Sequence, residues 1–456
     1  MSTDFDCVVI GAGPGGYVGA LRARQLGMRT AVVERAQLGG RCLNQACIPA
    51  KAVLRAADLL DEARVAPQHG ILTGGEDVGV DFAAVAARRD KVVERLTGGV
   101  AGLLSRHGVE VLGGEARLVP GGVQVGDRTV NAGATIVATG SRPRDLPGVV
   151  RGGRVIGTEE AWAFVELPDS IAVVGAGPSG VELASAYARL GSEVTLIEVA
   201  DQVLPGEDAD VVRPLERALK TQGVGLLTGA GIEAVEAGES SVGFTVAGTR
   251  HAADWLVLAT GREPDVDSLG LDRLGVRRDA GGLLEVDDQQ RTAVEGVFAV
   301  GDLVAGPALA HKSSEEAIVA VEAAAGEVTL PVQRELIPRV TFAAPALAGV
   351  GLSEAAAREA GHEVAIGKVP FAAVGAGTLL DDRSGLVKIV AEAGSGQILG
   401  AHVVGARAPE LLQQIVDTQA LQGGVGDLAR IVHSHPTLSE AIGEAARAAE
   451  GWLIHG

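Results

Sequence analysis

Two of the chain's three cysteines stand together in the run GGRCLNQACIPAK, residues 39 to 51, with four residues between Cys42 and Cys47. On a regular helix their Cα atoms would lie ~8 to 9 Å apart. A relaxed disulfide needs less than about 7 Å. Either the thiols are not bridged or the backbone between them is bent. Pro49 predicts the bend, because it lacks an N–H and pushes Ile48 out of the α region. A bridge closed under that constraint would be easily reduced, as in a working disulfide rather than a staple. Two inert buried thiols, or half of a metal site, stay open on the segment alone.

A second chemistry is written in glycine. Residues 8 to 34, VVIGAGPGGYVGALRARQLGMRTAVVE, and residues 172 to 198, AVVGAGPSGVELASAYARLGSEVTLIE, align without a gap. Each reads as strand, glycine turn, helix, strand. Gly11, Gly13 and Gly16 in the first copy match Gly175, Gly177 and Gly180 in the second. The first glycine permits a tight turn, the second lets a pyrophosphate approach the backbone, and the third lets helix and strand pack. The phosphates then rest on a helix N-terminus. Glu34 and Glu198 end the second strands, placed to accept hydrogen bonds from a ribose. Two such units need two dinucleotides. Beside a reducible cysteine pair the sensible couple is FAD in the first unit and NAD in the second, since a flavin exchanges hydride with nicotinamide and electron pairs with a thiolate.

These residues must be held by an α/β protein. At 456 residues the chain exceeds one core and predicts about three or four domains. It is 47% hydrophobic, rich in glycine and poor in aromatic residues. A net charge of −19 speaks against a nucleic-acid surface and for solubility or a basic protein partner. No basic segment followed by an apolar one opens the chain, and no apolar run approaches the ~20 residues of a membrane span. The expectation is therefore the cytoplasm, without a membrane, where a close cysteine pair is more often catalytic than structural. Cys7, in the first strand, reads as an inert core residue.

Taken together, the cysteine run, the doubled glycine unit, ATIVATGSRP (134 to 143), WLVLATGREPD (255 to 265), VFAVGDLVAGPALAHK (297 to 312) and HSHPTLSEA (433 to 441) resemble the flavin-dependent pyridine nucleotide disulfide oxidoreductases. Within that family they are most similar to the dihydrolipoamide dehydrogenases. The resemblance implies two doubly wound domains, for FAD and NAD, with a central domain and a C-terminal α+β interface domain. The expected bounds are residues 1–147, 148–268, 269–336 and 337–456. Helices are expected near 50 to 66 and 82 to 106, and another after Lys312.

The resemblance also implies roles. Asp302 contacts the flavin's ribityl chain, and further cofactor contacts fall at Gly40, Arg41, Lys51, Gly114, Ala116, Thr139, Gly140, Leu309, Ala310, Ile232 and Gly261. A thiol attacks a disulfide only as thiolate and an ordinary thiol titrates near ~8.5, so a base is required. His433 and His435 offer one. The family places the acid/base directly before the proline, at His435, with Glu440 orienting it and His433 structural. Lys51 and Glu182 form an ion pair near the flavin. The implied reaction oxidises dihydrolipoyl groups on an acyltransferase or carrier protein and reduces NAD+. A homodimer is implied, serving a 2-oxo acid dehydrogenase or glycine cleavage complex, with His435 reaching the disulfide of the other subunit. No cation follows Glu198 in VADQVLPGED, so NAD is expected over NADP. Arg41, Ala46, Ala50 and FAAPA at 342 to 346 depart from the family pattern. Reduction of another small disulfide by NAD(P)H, or a mainly structural flavoprotein subunit, are the alternative readings.

Overall fold

The computed structural model describes residues 3–73 and 78–456, which divide into two compact units. Of the described residues, the first comprises 3–52, 83–146 and 260–334. Its centre is the strand Phe5–Ile10, where every residue but Asp6 is buried. Neighbouring side chains go to opposite faces. Cys7 and Val9 join one core with Val32, Ile136 and the helices Pro14–Gln25 and Ala310–Ala325, whereas Val8 and Ile10 join another with Val33, Val137 and Val123. A sheet buried on both faces explains the unbroken apolar runs of the sequence.

Strands Glu110–Gly113, Thr30–Glu34, Phe5–Ile10, the end of Arg128–Val137 and Val297–Ala299 run parallel in that order. Cys7 stands opposite Thr30 and Ala134. The start of Arg128–Val137 turns into an antiparallel meander with Gly122–Val125 and Ala116–Val119. Helices Pro14–Gln25 and Ala310–Ala325 touch so closely that a Cβ on Gly15 would come within 2.3 Å of Ser313 Oγ.

Of the described residues, the second unit comprises 53–73, 78–82, 147–259 and 335–456. Its parallel sheet is ordered Gly225–Thr228, Glu193–Glu198, Ser170–Val174, Trp255–Leu258, Val155–Gly157. The helix Pro178–Leu190 follows its glycine turn, with Pro at the start, where a missing N–H costs nothing, and a left-handed Gly191 at its end. The C-terminal part is a five-stranded antiparallel sheet, ordered Arg339–Thr341, Leu347–Gly351, Ile398–Val404, Leu386–Glu392, Val364–Pro370. Helices Ala408–Ala420 and Glu440–Ala449 share its core through Leu411, Leu412, Ile442 and Ala445. The fold is thus α/β with two doubly wound sheets and a C-terminal α+β part. The predicted helices are Cys47–Val65 and Phe82–Arg106, and the helix expected after Lys312 begins earlier, at Ala310. Among the described residues no helix is long and apolar enough to cross a membrane.

Candidate active site

Both glycine turns adopt the geometry their sequence requires. Gly11 and Gly175 have φ of +96° and +100°, a region that a side chain disfavours. A Cβ on Gly16 would lie 1.8 Å from Gly11 O, and one on Gly180 would lie 1.9 Å from Gly175 O. Gly13 and Gly177 cap their helices without any side chain, so the first N–H groups point outward. A Cβ on Gly177 would meet nothing within 4 Å, and on Gly13 only Gly40 Cα at 4.0 Å. That open cradle over a helix N-terminus fits the pyrophosphate of a dinucleotide. Glu34 accepts the Ala12 and Ala36 N–H groups at 2.7 and 2.8 Å, and Glu198 those of Ala176 and Ala200 at 2.7 and 3.0 Å. Each acid therefore braces its own turn, and each oxygen keeps a second lone pair for a ribose hydroxyl.

Around the first turn, Gly114 (φ +142°) donates to Glu34 O at 3.0 Å, and Ala116 opens its strand. Thr139 Oγ1 donates to Asp265 O at 2.7 Å, and Gly140 O accepts the Asp265 N–H at 3.0 Å. Asp302 accepts from Ser141 Oγ at 2.5 Å, and Ser141 Oγ in turn accepts from Arg262 Nε at 2.8 Å. Leu309 precedes, and Ala310 begins, the helix Ala310–Ala325. Gly261 (φ +103°) accepts the Arg144 N–H at 3.0 Å, and in the second unit Ile232 opens the strand Ile232–Ala237.

The cysteine segment sits on the first turn. Gly39 N–H donates to Ala12 O at 2.9 Å, and Gly40 (φ +57°) begins the short helix Gly40–Asn44. That helix stops at Gln45 and a new one starts at Cys47. The N–H groups of both Gln45 and Ala46 bond to Arg41 O, at 2.8 and 3.0 Å. The break lies before Cys47, not at Pro49. Pro49 occupies the first turn of the second helix, where its missing N–H is harmless, and Ile48 is helical. Cys42 and Cys47 are thiols here, hydrogen-bonded to each other. Cys42 is strongly disposed to keep its proton, first because it hydrogen-bonds to Cys47, then through burial and the negative charge that Cys47 would carry. The cations of Lys51 and Arg41 pull the other way. Half-buried Tyr17 feels Cys42 too, its phenol raised by burial and then by the charge of Cys42. By contrast Cys7 is fully enclosed and burial pushes its thiol up to about 12.

In the second unit, His435 Nδ1 lies 2.9 Å from Glu440 Oε1, at the first residue of the helix Glu440–Ala449. Burial works against the Glu440 carboxylate, yet the Thr437 N–H at 2.9 Å and the His435 ring hold it below the ordinary range. The His435 side chain is 76% exposed. His433 is instead half-buried against Gly443, and burial and then Arg447 favour its neutral form. Glu182 is buried on the helix Pro178–Leu190 and accepts the Phe342 N–H at 2.9 Å. Lys51 belongs to the first unit and Glu182 to the second.

Residues 5–317 match the family model of the pyridine nucleotide-disulphide oxidoreductases, and residues 337–446 match the dimerisation domain of the same family. The chain belongs to that family. Among curated proteins it is 38% identical to a dihydrolipoyl dehydrogenase of Bacillus subtilis (strain 168) over the whole of both chains. It is 42% identical to one from Chlorobaculum tepidum, over 98% of this chain and 97% of that one. Among solved structures, LpdA (Rv3303c) from Mycobacterium tuberculosis superposes with a TM-score of 0.90 at 28% identity, covering 97% of this chain and 99% of that one. The HOCl-induced flavoprotein disulfide reductase RclA from Escherichia coli, as its Cu(II) complex, gives 0.87 at 25% identity over 98% and 99%.

For an oxidoreductase of this family, using FAD and NAD, the sequence reading passed over one pair. Lys312 and Glu316 are fully buried, and Lys312 Nζ donates to Glu316 Oε2 at 3.0 Å. Glu316 also accepts the Gly301 N–H at 2.8 Å, and Lys312 donates to Gly301 O at 2.9 Å. Both polar groups of the glycine before Asp302 are thereby gripped. The spacing of four residues on a helix was the available signal.

Proposed function

We propose that the chain is a dihydrolipoyl dehydrogenase, oxidising dihydrolipoyl groups on an acyltransferase or carrier protein to the lipoyl disulfide while NAD+ is reduced. The observation that carries this reading is the hydrogen-bonded pair Cys42 and Cys47, seated against the first glycine turn. Relatives of that name match from end to end. FAD would lie over Gly11, Gly13 and Gly16, with Glu34, Asp302 and Lys51 in reach, and NAD over Gly175, Gly177, Gly180 and Glu198. When bound, FAD takes an electron pair from the dithiol and gives it as hydride to NAD+.

The residues supply the thiol chemistry. With Cys42 and Cys47 bridged, a substrate thiolate attacks Cys42 Sγ. The S–S bond breaks, Cys47 leaves as thiolate and a mixed disulfide forms. The second substrate thiol displaces Cys42, releasing the lipoyl disulfide, and His435 takes and returns the protons. Glu440 fixes the ring so that Nε2 works. By the family resemblance His435, whose side chain is exposed in its own chain, serves the dithiol of a second copy, and the dimerisation domain supports a homodimer. We place the enzyme in the cytoplasm, within a 2-oxo acid dehydrogenase or glycine cleavage complex.

Turnover of dihydrolipoamide with NAD+ and NADP+ side by side tests this. The expected result is turnover with NAD+ exceeding that with NADP+ by about tenfold or more, since the Glu198 carboxylate repels a 2′-phosphate. Equal activity with NADP+ overturns the role of Glu198. A yellow, flavin-loaded protein inert toward every dithiol overturns the proposal.

A further inference from the structure

A buried cation closes the loop that follows Glu198. Lys388, on the strand Leu386–Glu392, is 2% exposed. Its ammonium meets three carboxylates: Asp208 Oδ1 at 3.0 Å, Asp210 Oδ2 at 2.9 Å and Glu354 Oε2 at 2.8 Å. Three N–H donors thus have three acceptors. Asp208 Oδ1 also caps the helix Ala209–Thr221 by accepting the Asp210 N–H at 3.0 Å, and its Oδ2 accepts the Glu354 N–H at 3.0 Å. One residue earlier, Glu207 holds the Arg339 guanidinium at 2.7 and 3.2 Å. Residues 207 and 208 are therefore fixed to two strands of the C-terminal sheet.

The other end of the loop rests on the second glycine turn. Leu204 N–H donates at 2.8 Å to the carbonyl of Ala176, the residue between Gly175 and Gly177. Leu204 is buried with φ +48°, a left-handed conformation that a leucine holds only where its surroundings over-determine it. Glu207 N–H closes the loop on Leu204 O at 3.1 Å. A continuous set of bonds runs from Lys388 through Asp208, its neighbour Glu207 and Leu204 to the turn.

We propose that Lys388 is a positioning residue for the nicotinamide dinucleotide, setting the Gly175–Gly177 turn through Asp208 and Leu204, so that the C-terminal sheet controls NAD affinity at a distance. This rests on the second turn being the NAD site. An ion cluster that served only to join parts of the fold would change stability and leave dinucleotide affinity alone.

The test compares the FAD-loaded parent, Lys388→Met and, as a control on the site itself, Gly177→Ala. In Lys388→Met the KM for NAD+ and the Kd for NADH rise by about tenfold. Its kcat at saturating NAD+ and its KM for dihydrolipoamide stay within about twofold, the pattern of lost binding without lost chemistry. The Leu204 amide exchanges about tenfold faster while amides of Ile398–Val404 keep their protection. Unchanged NAD+ and NADH affinity in Lys388→Met, with Gly177→Ala weakened, overturns the role of Lys388. Unchanged affinity in Gly177→Ala overturns the site assignment instead. If Lys388→Met does not fold, Lys388→Met/Asp208→Asn removes the charge left behind at Asp208 while an Asn still caps the helix, and is read by the same outcomes.

Discussion

Gly40 lies so close to Gly13 that a Cβ on Gly40 would fall 2.6 Å from Gly13 Cα, whereas a Cβ on Gly13 would stand 4.0 Å from Gly40 Cα. The contact seats the redox helix on the dinucleotide turn, and its asymmetry separates two variants. Gly40→Ala meets both a clash and a left-handed φ of +57°, so it is expected to cost on the order of 2 kcal/mol or more. Gly13→Ala has room and φ −68°. It is expected to fold but to bind FAD about tenfold or more weakly, because its methyl occupies the pyrophosphate cradle. Thermal unfolding of the apoproteins and FAD titration check both, and equal behaviour of the two variants would refute the distinction.

The second turn offers the same contrast. Gly177→Ala enters open space at φ −68° and is expected to change stability by less than about 0.5 kcal/mol. NADH binding nevertheless weakens, by about tenfold. Gly180→Ala drives a methyl to within 1.9 Å of Gly175 O and is expected to destabilise the second unit outright. NADH fluorescence titration beside calorimetry distinguishes the two effects.

Such positions were legible because glycine patterns and strand periods are local. The turns, the apolar first strands and the helices near 50 and 82 follow from near neighbours in sequence. The break at Gln45 and Ala46 was not legible. Neither residue is a helix breaker, and the interruption comes from both N–H groups converging on Arg41 O while Gly39 and Gly40 lie on the first turn. Pro49 looked like the breaker and is instead a first-turn residue. The burial of Lys388 could not be read either, since its partners Asp208, Asp210 and Glu354 are far away in the chain. His435 and Glu440 share a single short segment, and their pairing followed from its resemblance to the family.

That segment leads to a kinetic prediction. His435→Gln retains FAD and folds, since the side chain is exposed, but slows the dithiol half-reaction by about 10²-fold or more, the usual loss on removing a positioned acid/base. His433→Gln has a far smaller effect. Stopped-flow reduction by dihydrolipoamide measures both. A near-parental rate in His435→Gln with a large loss in His433→Gln would exchange their roles.

Glu207 makes the fold sensitive to acid. Burial raises its carboxyl, but the His402 ring and the Arg339 fork outweigh it and hold the group at about 2, against an ordinary 4.5. A carboxylate depressed in the folded state stabilises above its unfolded value, and that stability is lost as pH falls from 4.5 toward 2. The contribution is on the order of 3 kcal/mol. Glu207→Gln should therefore be less stable than the parent at pH 7, and the difference should shrink across that window. Urea unfolding at a series of pH values checks it; a difference that stays constant to pH 2 would exclude Glu207 as the source.

Arg41 bears on the redox pair itself. Its guanidinium pulls the Cys42 pKa down, but it ranks behind Lys51, and the Cys47 hydrogen bond and burial outweigh both. Removing it should thus have a definite sign and a modest size. In the two-electron-reduced enzyme the thiolate belongs to the pair rather than to one sulfur, so the quantity to follow is the apparent titration of the pair. Without the cation, thiolate is less favoured, and a neutral residue should displace that titration to higher pH. A higher pKa gives a stronger nucleophile but a poorer leaving group, so resolution of the mixed disulfide and reoxidation should respond in opposite directions. The measurement is the flavin–thiolate absorbance of the parent and Arg41→Thr against pH, with FAD affinity determined in parallel. A displaced curve with unchanged FAD affinity assigns Arg41 to the thiolate. Weakened FAD with superimposable curves assigns it to the pyrophosphate, which the guanidinium fork also suits, and would overturn the electrostatic role.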